Sequence, residues 1–371
     1  MIISRTPFRI SLFGGGTDYP EWYRKHGGSV LSTTIDKYCY ITCRYLPPFF
    51  EHKYCIVYSR TEYCQTVNEI AHPSVREVLR FLNLRRGVEI HHDGDLPARS
   101  GMGSSSAFTV GLLNALYALK GQMVGKHRLA TESIHIEQEI LKETVGSQDQ
   151  VLAAYGGLNH TIFHPNGEIS VKPVTIARER LLDLNAHLML FYTGIKRTAA
   201  NIAKTYVNGI ENRKRQLRIT KDLVEEGISI LTGGDDIRAL GELLHEAWQV
   251  KSSLSDSVSN SRVDDIYQQA ISAGALGGKL TGAGGGGFLL LFAPPSAHKT
   301  IQEKLDRLIH VPFKFDFSGS QIIFFDQEED YEAAEQARWA RPTVVFEELE
   351  SELVGFDGRP FEVQIVREGK Q

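Results

Sequence analysis

The chain has 371 residues, 42% of them apolar and 23% charged, with a formal net charge of −4. These are the proportions of a globular protein too long for one small core. The charge balance gives no basic field for nucleic acid or an anionic membrane, so neither is expected as a partner, whereas an anionic small substrate needs only a local group of cations.

No stretch approaches the about 18 uninterrupted apolar residues of a membrane span. The first residues, MIISRTPFRISLF, lack the apolar core and small-residue cleavage site of a secretory signal. A cytoplasmic location is therefore expected. Cys39, Cys43, Cys55 and Cys64 match neither a disulfide framework nor paired zinc spacing, and are expected as reduced, buried thiols.

Ile2–Phe13 predicts a first strand, with Pro7 at an edge or bulge. It runs into Gly14-Gly15-Gly16-Thr17-Asp18-Tyr19. Ser29–Tyr45 and Tyr54–Tyr63 are rich in Val, Ile, Thr, Tyr and Cys and read as further strands. Pro73–Asn83 fits a helix and Gly87–His92 a strand; His91 and His92 alternate faces there and read as structural. Ala107–Leu119 is mostly apolar and suits a buried helix. His127–Glu143 predicts a helix that buries Leu129, Ala130, Ile134, Ile140 and Leu141 and wets most of its glutamates. The composition shifts after about Asn166. His187–Tyr192 predicts a strand and Lys196–Asn208 the start of a helix. Helices are expected through 210–272, with breaks at Gly233-Gly234 and Ser252–Ser261. Phe288–Phe292 reads as a buried strand, Ser296–His310 as a helix and Gln321–Phe325 as a strand. Residues 331–371 read as an appended helix and hairpin with a turn at Asp357-Gly358, serving as a homodimer contact or a cover for the C-terminal sheet.

The stretch Leu96–Phe108, LPARSGMGSSSAF, carries the strongest chemical signal. A glycine turn entering a helix presents free N–H groups and roughly half a positive charge, which suits phosphate. Serine hydroxyls there cap the helix, bind phosphate oxygens or ligate Mg²⁺. A second glycine run, Gly282–Gly287, matches the dinucleotide pattern G-x-G-x-x-G. A helix-like stretch, Asp264–Ala273, precedes it and a strand follows, so the strand-then-helix context of that fingerprint is missing. A Walker loop is excluded as well, because Lys279 is followed by Leu280. Three glycine loops, at 14–16, 101–103 and 282–287, remain, with Glu137 and Asp149 between the second and third. Phosphate cradle, metal ligand and base are the parts of phosphoryl transfer.

Pro7–Tyr19 (PFRISLFGGGTDY), Leu96–Ala107 (LPARSGMGSSSA) and Lys279–Phe288 (KLTGAGGGGF), in that order, resemble the three motifs of the GHMP kinases, a family of small-molecule kinases. The resemblance spans roughly residues 1–325. It implies an α+β fold of two domains, a ribosomal-protein-like N-terminal domain (1–180) and a ferredoxin-like C-terminal domain (181–330), with ATP and substrate between them. By position, Gly101, Met102, Gly103, Ser104, Ser105 and Ser106 would wrap the ATP phosphates. Ser105 and Glu137 would hold Mg²⁺, with Ser104 and Ser106 capping the helix and binding phosphate. Glu137 stands twelve residues before Asp149. Asp149 would take or orient the proton of the attacking hydroxyl, and Arg9 would stabilise charge beside it. Gly15, Gly16, Thr17 and Asp18 would meet the sugar, and Gly284 and Gly285 would close the cleft near it.

Galactokinases carry Gly-Glu-His-Thr-Asp-Tyr where this chain has Gly14 to Tyr19. The glycine form, with Gly146-Ser-Gln-Asp149 and Tyr192-Thr-Gly194, resembles the D-glycero-D-manno-heptose 7-phosphate kinases, which phosphorylate O1 of a sugar phosphate on the way to GDP-heptose for surface polysaccharide. That implies a second anion pocket, with the Gly15 and Gly16 amides and Lys196 or Arg197 as candidates. The alternatives are another sugar-1-kinase of the family, fucokinase-like or acting on a neutral hexose, and an inactive family member that senses sugar or ATP. Asp149, Glu137 and Ser105 argue against the last.

Overall fold

The computed structural model describes residues 1–47, 49–98, 100–195, 203, 205, 207, 209–326 and 331–340. The chain divides into two units, Met1–Asp330 and Tyr331–Gln371. The expected hairpin at Asp357-Gly358 lies outside the described residues, as does most of the helix expected over Lys196–Asn208.

The first part of the chain supplies β1 (Ile2–Phe13), α1 (Pro20–His26), β2 (Gly28–Tyr45), the hairpin β3 (Tyr54–Val57) and β4 (Thr61–Cys64), α2 (Pro73–Phe81) and β5 (Val88–Gly94). There follow α3 (Ser104–Leu119), α4 (Lys126–His135), α5 (Gln148–Tyr155), β6 (Asn159–Phe163) and β7 (Ile169–Pro173). The next part supplies α6 (Arg178–His187), β8 (Leu188–Tyr192), α7 (Lys214–Thr232), α8 (Ala239–Ser252), α9 (Ser261–Ser272), β9 (Gly277–Leu280), β10 (Phe288–Phe292), α10 (His298–Lys304) and β11 (Ile309–His310). Two returning strands, β12 (Phe315–Asp316) and β13 (Gln321–Phe325), close the first unit, and α11 (Glu332–Trp339) belongs to the second.

β2 organises a nine-stranded sheet. One side pairs with β1 from Cys43 to Leu31. The other meets β6 at Gly28–Ser32, β12 at Thr34–Ile35 and β5 at Cys39–Tyr45. Pro7 sits at a register shift of β1, beyond the residues that β13 pairs, so its missing N–H costs no bond on that side. The second sheet runs β11-β8-β10-β9, wholly antiparallel. Its spatial order of fourth, first, third and second strand is that of a ferredoxin-like sandwich, as expected. Because β12 and β13 return to the first sheet, the C-terminal stretch buttresses the strand that carries Arg9.

α3 is buried nearly all round, consistent with its apolar sequence. It lies close on β1 because Gly111 has no side chain: a Cβ there would stand 2.8 Å from Thr6 Oγ1. Ser4 Oγ donates to Gly111 O at 2.8 Å, fixing the same contact. The four thiols are free and buried. His91 takes Glu89 at 2.8 Å and His92 stands edge-on to Phe108, both structural as read.

Four readings change. The helix expected over His127–Glu143 is α-helical only to His135 and then widens into a π turn, Ile136–Ile140, in which Leu141 N donates to Ile136 O. Ile134, Ile140 and Leu141 are therefore only half-buried, while Ile136 and Glu137 turn inward. Ser296–His310 holds the short α10 and then β11. β9, not a helix, directly precedes the Gly282–Gly287 loop; with β10 after it, the loop joins antiparallel neighbours and the dinucleotide reading stays excluded. The hairpin β6–β7 and helix α6 carry weak patterns and went unread. Among the described residues, no helix is long and apolar enough to cross a membrane.

Gly111→Val is expected to lift α3 off β1. The overpacking should cost about 1–3 kcal/mol and appear as a lower urea midpoint of the purified chain.

Candidate active site

β1 ends by presenting Arg9 to two elements at once. Its Nε and Nη2 donate to Asp149 Oδ1 and Oδ2, each at 2.7 Å, a bidentate pair. Nη1 donates to Gly101 O at 2.7 Å, and the Arg9 amide to Met102 O at 3.1 Å. Arg9 is almost fully buried, whereas about a quarter of the Asp149 side chain is exposed, so the carboxylate is the open end of the pair. Asp149 stands in the first turn of α5, where the peptide dipoles favour negative charge.

The first glycine loop is built by close approach. Gly14 and Gly16 have φ of +86° and +104°, which exclude most side chains. Asp18 is buried beneath the loop. Its Oδ1 accepts from Gly16 N at 2.9 Å, its Oδ2 from Gln148 N at 3.3 Å, and its carbonyl from Ser147 N. Asp18 thus ties this loop to the start of α5. Gly146 is required here, since a Cβ would lie 1.9 Å from Asp18 Oδ2. Burial, then the nearby Asp149, raises the Asp18 pKa above the ordinary carboxylate value.

The second loop enters α3 through Gly101 (φ +83°) and Gly103 (φ +74°), and no side chain caps the helix. Its first-turn amides are left for a ligand. A Cβ on Gly103 would come 3.2 Å from Arg9 Cγ and 3.4 Å from Asp149 Oδ2, which places the helix entrance against the ion pair. Ser106 Oγ donates to Glu137 Oε2 at 2.8 Å, and Gln150 Nε2 donates to the same oxygen at 2.5 Å. Glu137 is fully buried; Oε1 has no partner, and burial pushes the carboxyl up to about 7.

The third loop locks onto the second. A Cβ on Gly282 would meet Gly101 Cα at 2.7 Å, and Phe288 N donates to Ser100 O. Two lysines clamp it. Lys251 Nζ donates to Leu280 O at 2.7 Å and Gly282 O at 2.6 Å; Lys279 Nζ donates to Leu12 O at 3.0 Å, joining β9 to β1. Burial, with Arg9 adding like charge, lowers Lys279 to about 7. Burial, Lys279 and Arg9 hold Lys251 well below the ordinary lysine value.

With three glycine loops gathered on one ion pair, comparison with known proteins is decisive. The GHMP kinases N terminal domain family matches residues 68–157, and the GHMP kinases C terminal family matches residues 224–310. A D-glycero-alpha-D-manno-heptose 7-phosphate kinase of Campylobacter jejuni is 30% identical over 307 residues, covering 80% of this chain and 90% of the relative. The chain belongs to the GHMP kinases. A galactokinase of Pyrococcus furiosus is 26% identical, over 82% of this chain and 93% of its own. The crystal structure of a D-glycero-D-manno-heptose 1-phosphate kinase from Bacteriodes thetaiotaomicron superposes with a TM-score of 0.72 at 22% identity, covering 88% of this chain and all of its own. GHMP kinases are ATP-dependent phosphotransferases, and this chain is one.

Within that family frame, several expected roles move. Ser105 is exposed, and the hydroxyl that faces Glu137 is that of Ser106, one position further round the first turn. Neither Ser104 nor Ser106 caps α3. The Met102 side chain is core, leaving only its backbone to the cleft. Thr17 is a strut: its hydroxyl donates to Gly14 O and Ser29 O and accepts from Ser29 N. The Gly16 amide, a candidate for the substrate's phosphate, is taken by Asp18. Gly284 and Gly285 pack on Val258, with Gly285 N donating to Val258 O at 2.8 Å. Lys196 and Arg197 lie outside the described residues. Gln150, Lys251 and Lys279 went unassigned in the sequence. Lys279 stood inside the third motif, and its only signal was a cation in an otherwise apolar strand.

Lys279 sets a test with a definite sign. Its folded pKa of about 7 lies below the ordinary 10.5, so the folded state disfavours the charged amine. The stability of the unliganded wild type should gain from this group as pH rises from about 7 toward 10.5. The stability advantage of Lys279→Met is therefore expected to be largest at and below pH 7 and to shrink above it, read as the difference in Tm between the two proteins across pH 6–9.5.

Proposed function

We propose that this chain transfers the γ-phosphoryl group of ATP to the anomeric O1 of D-glycero-D-manno-heptose 7-phosphate, giving the 1,7-bisphosphate. The observation that carries the reading is the Arg9–Asp149 pair set between an uncapped helix entrance and a sugar loop that bears no side chain at positions 15 and 16. The first suits the triphosphate, the second a bulky sugar phosphate. The C. jejuni relative supports the choice of heptose. Nucleotide and sugar would lie between an N-terminal half, 1–180, and a C-terminal half, 181–330. Lys196 and Arg197 remain the candidates for the 7-phosphate. The product would enter surface-polysaccharide synthesis in the cytoplasm.

Asp149 accepts or orients the O1 proton as the hydroxyl attacks. Arg9 aims the carboxylate by holding both oxygens. A loose phosphoryl transition state needs positioning and charge stabilisation more than a strong base. The amides of Ser104, Ser105 and Ser106 bind phosphate oxygens, and the Arg9 guanidinium sets positive charge behind them.

The site also fits Mg²⁺. Glu137 Oε1 is buried with no partner beside the Ser106 hydroxyl, and both are hard oxygen donors. Among the described residues, no three His, Cys, Asp or Glu side chains converge on a metal position, so Ser106 and Glu137 would share the ion with nucleotide oxygens and water. Held by Ser106 and Glu137, the ion would supply positive charge to offset that of the nucleotide phosphates.

Asp149→Asn is expected to lower kcat by about 10²–10⁴-fold while leaving ATP binding intact by calorimetry. ADP release from the wild type should be fast with heptose 7-phosphate and slow with galactose or fucose; turnover of a neutral hexose alone would replace the heptose assignment. Ser106→Ala should weaken the Mg²⁺ dependence of kcat/KM by at least about tenfold, whereas Ser105→Ala should change it little.

A further inference from the structure

The sugar loop leaves one question open. Gly14 and Gly16 are glycines because of their backbone angles and, at Gly14, crowding. Gly15 has no positive φ, and a Cβ would meet only Ser11 Oγ at 3.3 Å and Gln148 Nε2 at 3.6 Å. The turn's backbone angles do not require a glycine here, and two polar side chains stand beside the position a Cβ would take, Ser11 Oγ at a tight 3.3 Å.

Both are placed by the catalytic elements. Ser11 is two residues beyond Arg9 on β1, ahead of the next register shift, so it shares a face with Arg9. Gln148 immediately precedes Asp149 on α5. Both residues are more than nine-tenths buried, and Ser11 Oγ and Gln148 Oε1 have no hydrogen-bond partner. An unsatisfied buried hydroxyl or amide destabilises the fold, so a pair of them beside an ion pair has no structural return.

We propose that Ser11 and Gln148 are specificity-determining residues that take a hydroxyl of the acceptor sugar adjacent to the one being phosphorylated, through the gap that Gly15 leaves open. The amide of Gln148 offers an acceptor and a donor, and Ser11 offers either, so together they match a polyol rather than a simple alcohol. This rests on the sugar-kinase reading above and extends it from the reacting hydroxyl to its neighbour.

The test uses the full chain, with D-glycero-D-manno-heptose 7-phosphate, galactose and fucose as acceptors. ADP release and the Tm of the unliganded protein are measured together for wild type, Ser11→Ala, Gln148→Met and Gly15→Ala. Using the acceptor that wild type turns over, kcat/KM should fall about 10–100-fold in Gln148→Met and about 3–10-fold in Ser11→Ala. KM for ATP should hold, and Tm should equal or exceed that of wild type, because an unsatisfied polar atom has gone. Gly15→Ala should lower sugar kcat/KM by filling the gap from the other side, and it decides the matter if Gln148→Met fails to fold. A raised Tm with unchanged sugar kinetics would show two buried defects and overturn the assignment. Wild type that turns over no sugar overturns the underlying sugar-kinase reading, and the assignment with it.

Discussion

The site hangs on one guanidinium. Arg9 spends its three guanidinium nitrogens on two partners: Asp149 at the start of α5 and Gly101 at the entrance to α3. No other side-chain type could replace it here, because lysine has one nitrogen and no planar fork. Breaking a pair buried on its cationic side leaves an uncompensated charge, which typically costs about 3–5 kcal/mol. The positions of Asp149 and of the Gly101–Gly103 turn are consequently one variable.

The glycines are the counterpart of that constraint. Arg9 can reach both partners only if the backbones come closer than side chains allow. Gly103 lies against the ion pair, Gly146 against Asp18, and Gly282 against Gly101. The third loop never has to reach Asp149; it wedges the second loop in place, while Lys251 and Lys279 brace it from behind. Both amines donate to backbone carbonyls, and burial beside Arg9 disfavours their charged forms.

Motifs and long apolar runs were legible in the sequence. β1, β2 and α3 appear where the pattern puts them, because twelve or more residues of consistent burial outweigh local ambiguity. Arg9 and Asp149 could be matched by position, and the structure joins them. A run of three identical side chains cannot show which one a helix turns inward; the contact with Glu137 separates Ser106 from the exposed Ser105. Thr17 and the Gly16 amide looked like ligand groups because the sequence does not show that the fold had already used them. β7 and α6 were missed because their residues are mostly half-exposed or exposed, and β6 because two of its three buried residues, Asn159 and Thr161, are polar and hide the apolar alternation.

The π turn at Ile136–Ile140 is an extra residue held in a helix that would wind more comfortably without it. It begins where Ile136 and Glu137 face the core and Glu137 accepts from Ser106 of α3. Straightening that turn would be the obvious way to make this protein more robust, and it would swing its buried carboxylate away from Ser106. Hardening the fold at this turn would therefore come at the expense of the Ser106–Glu137 contact.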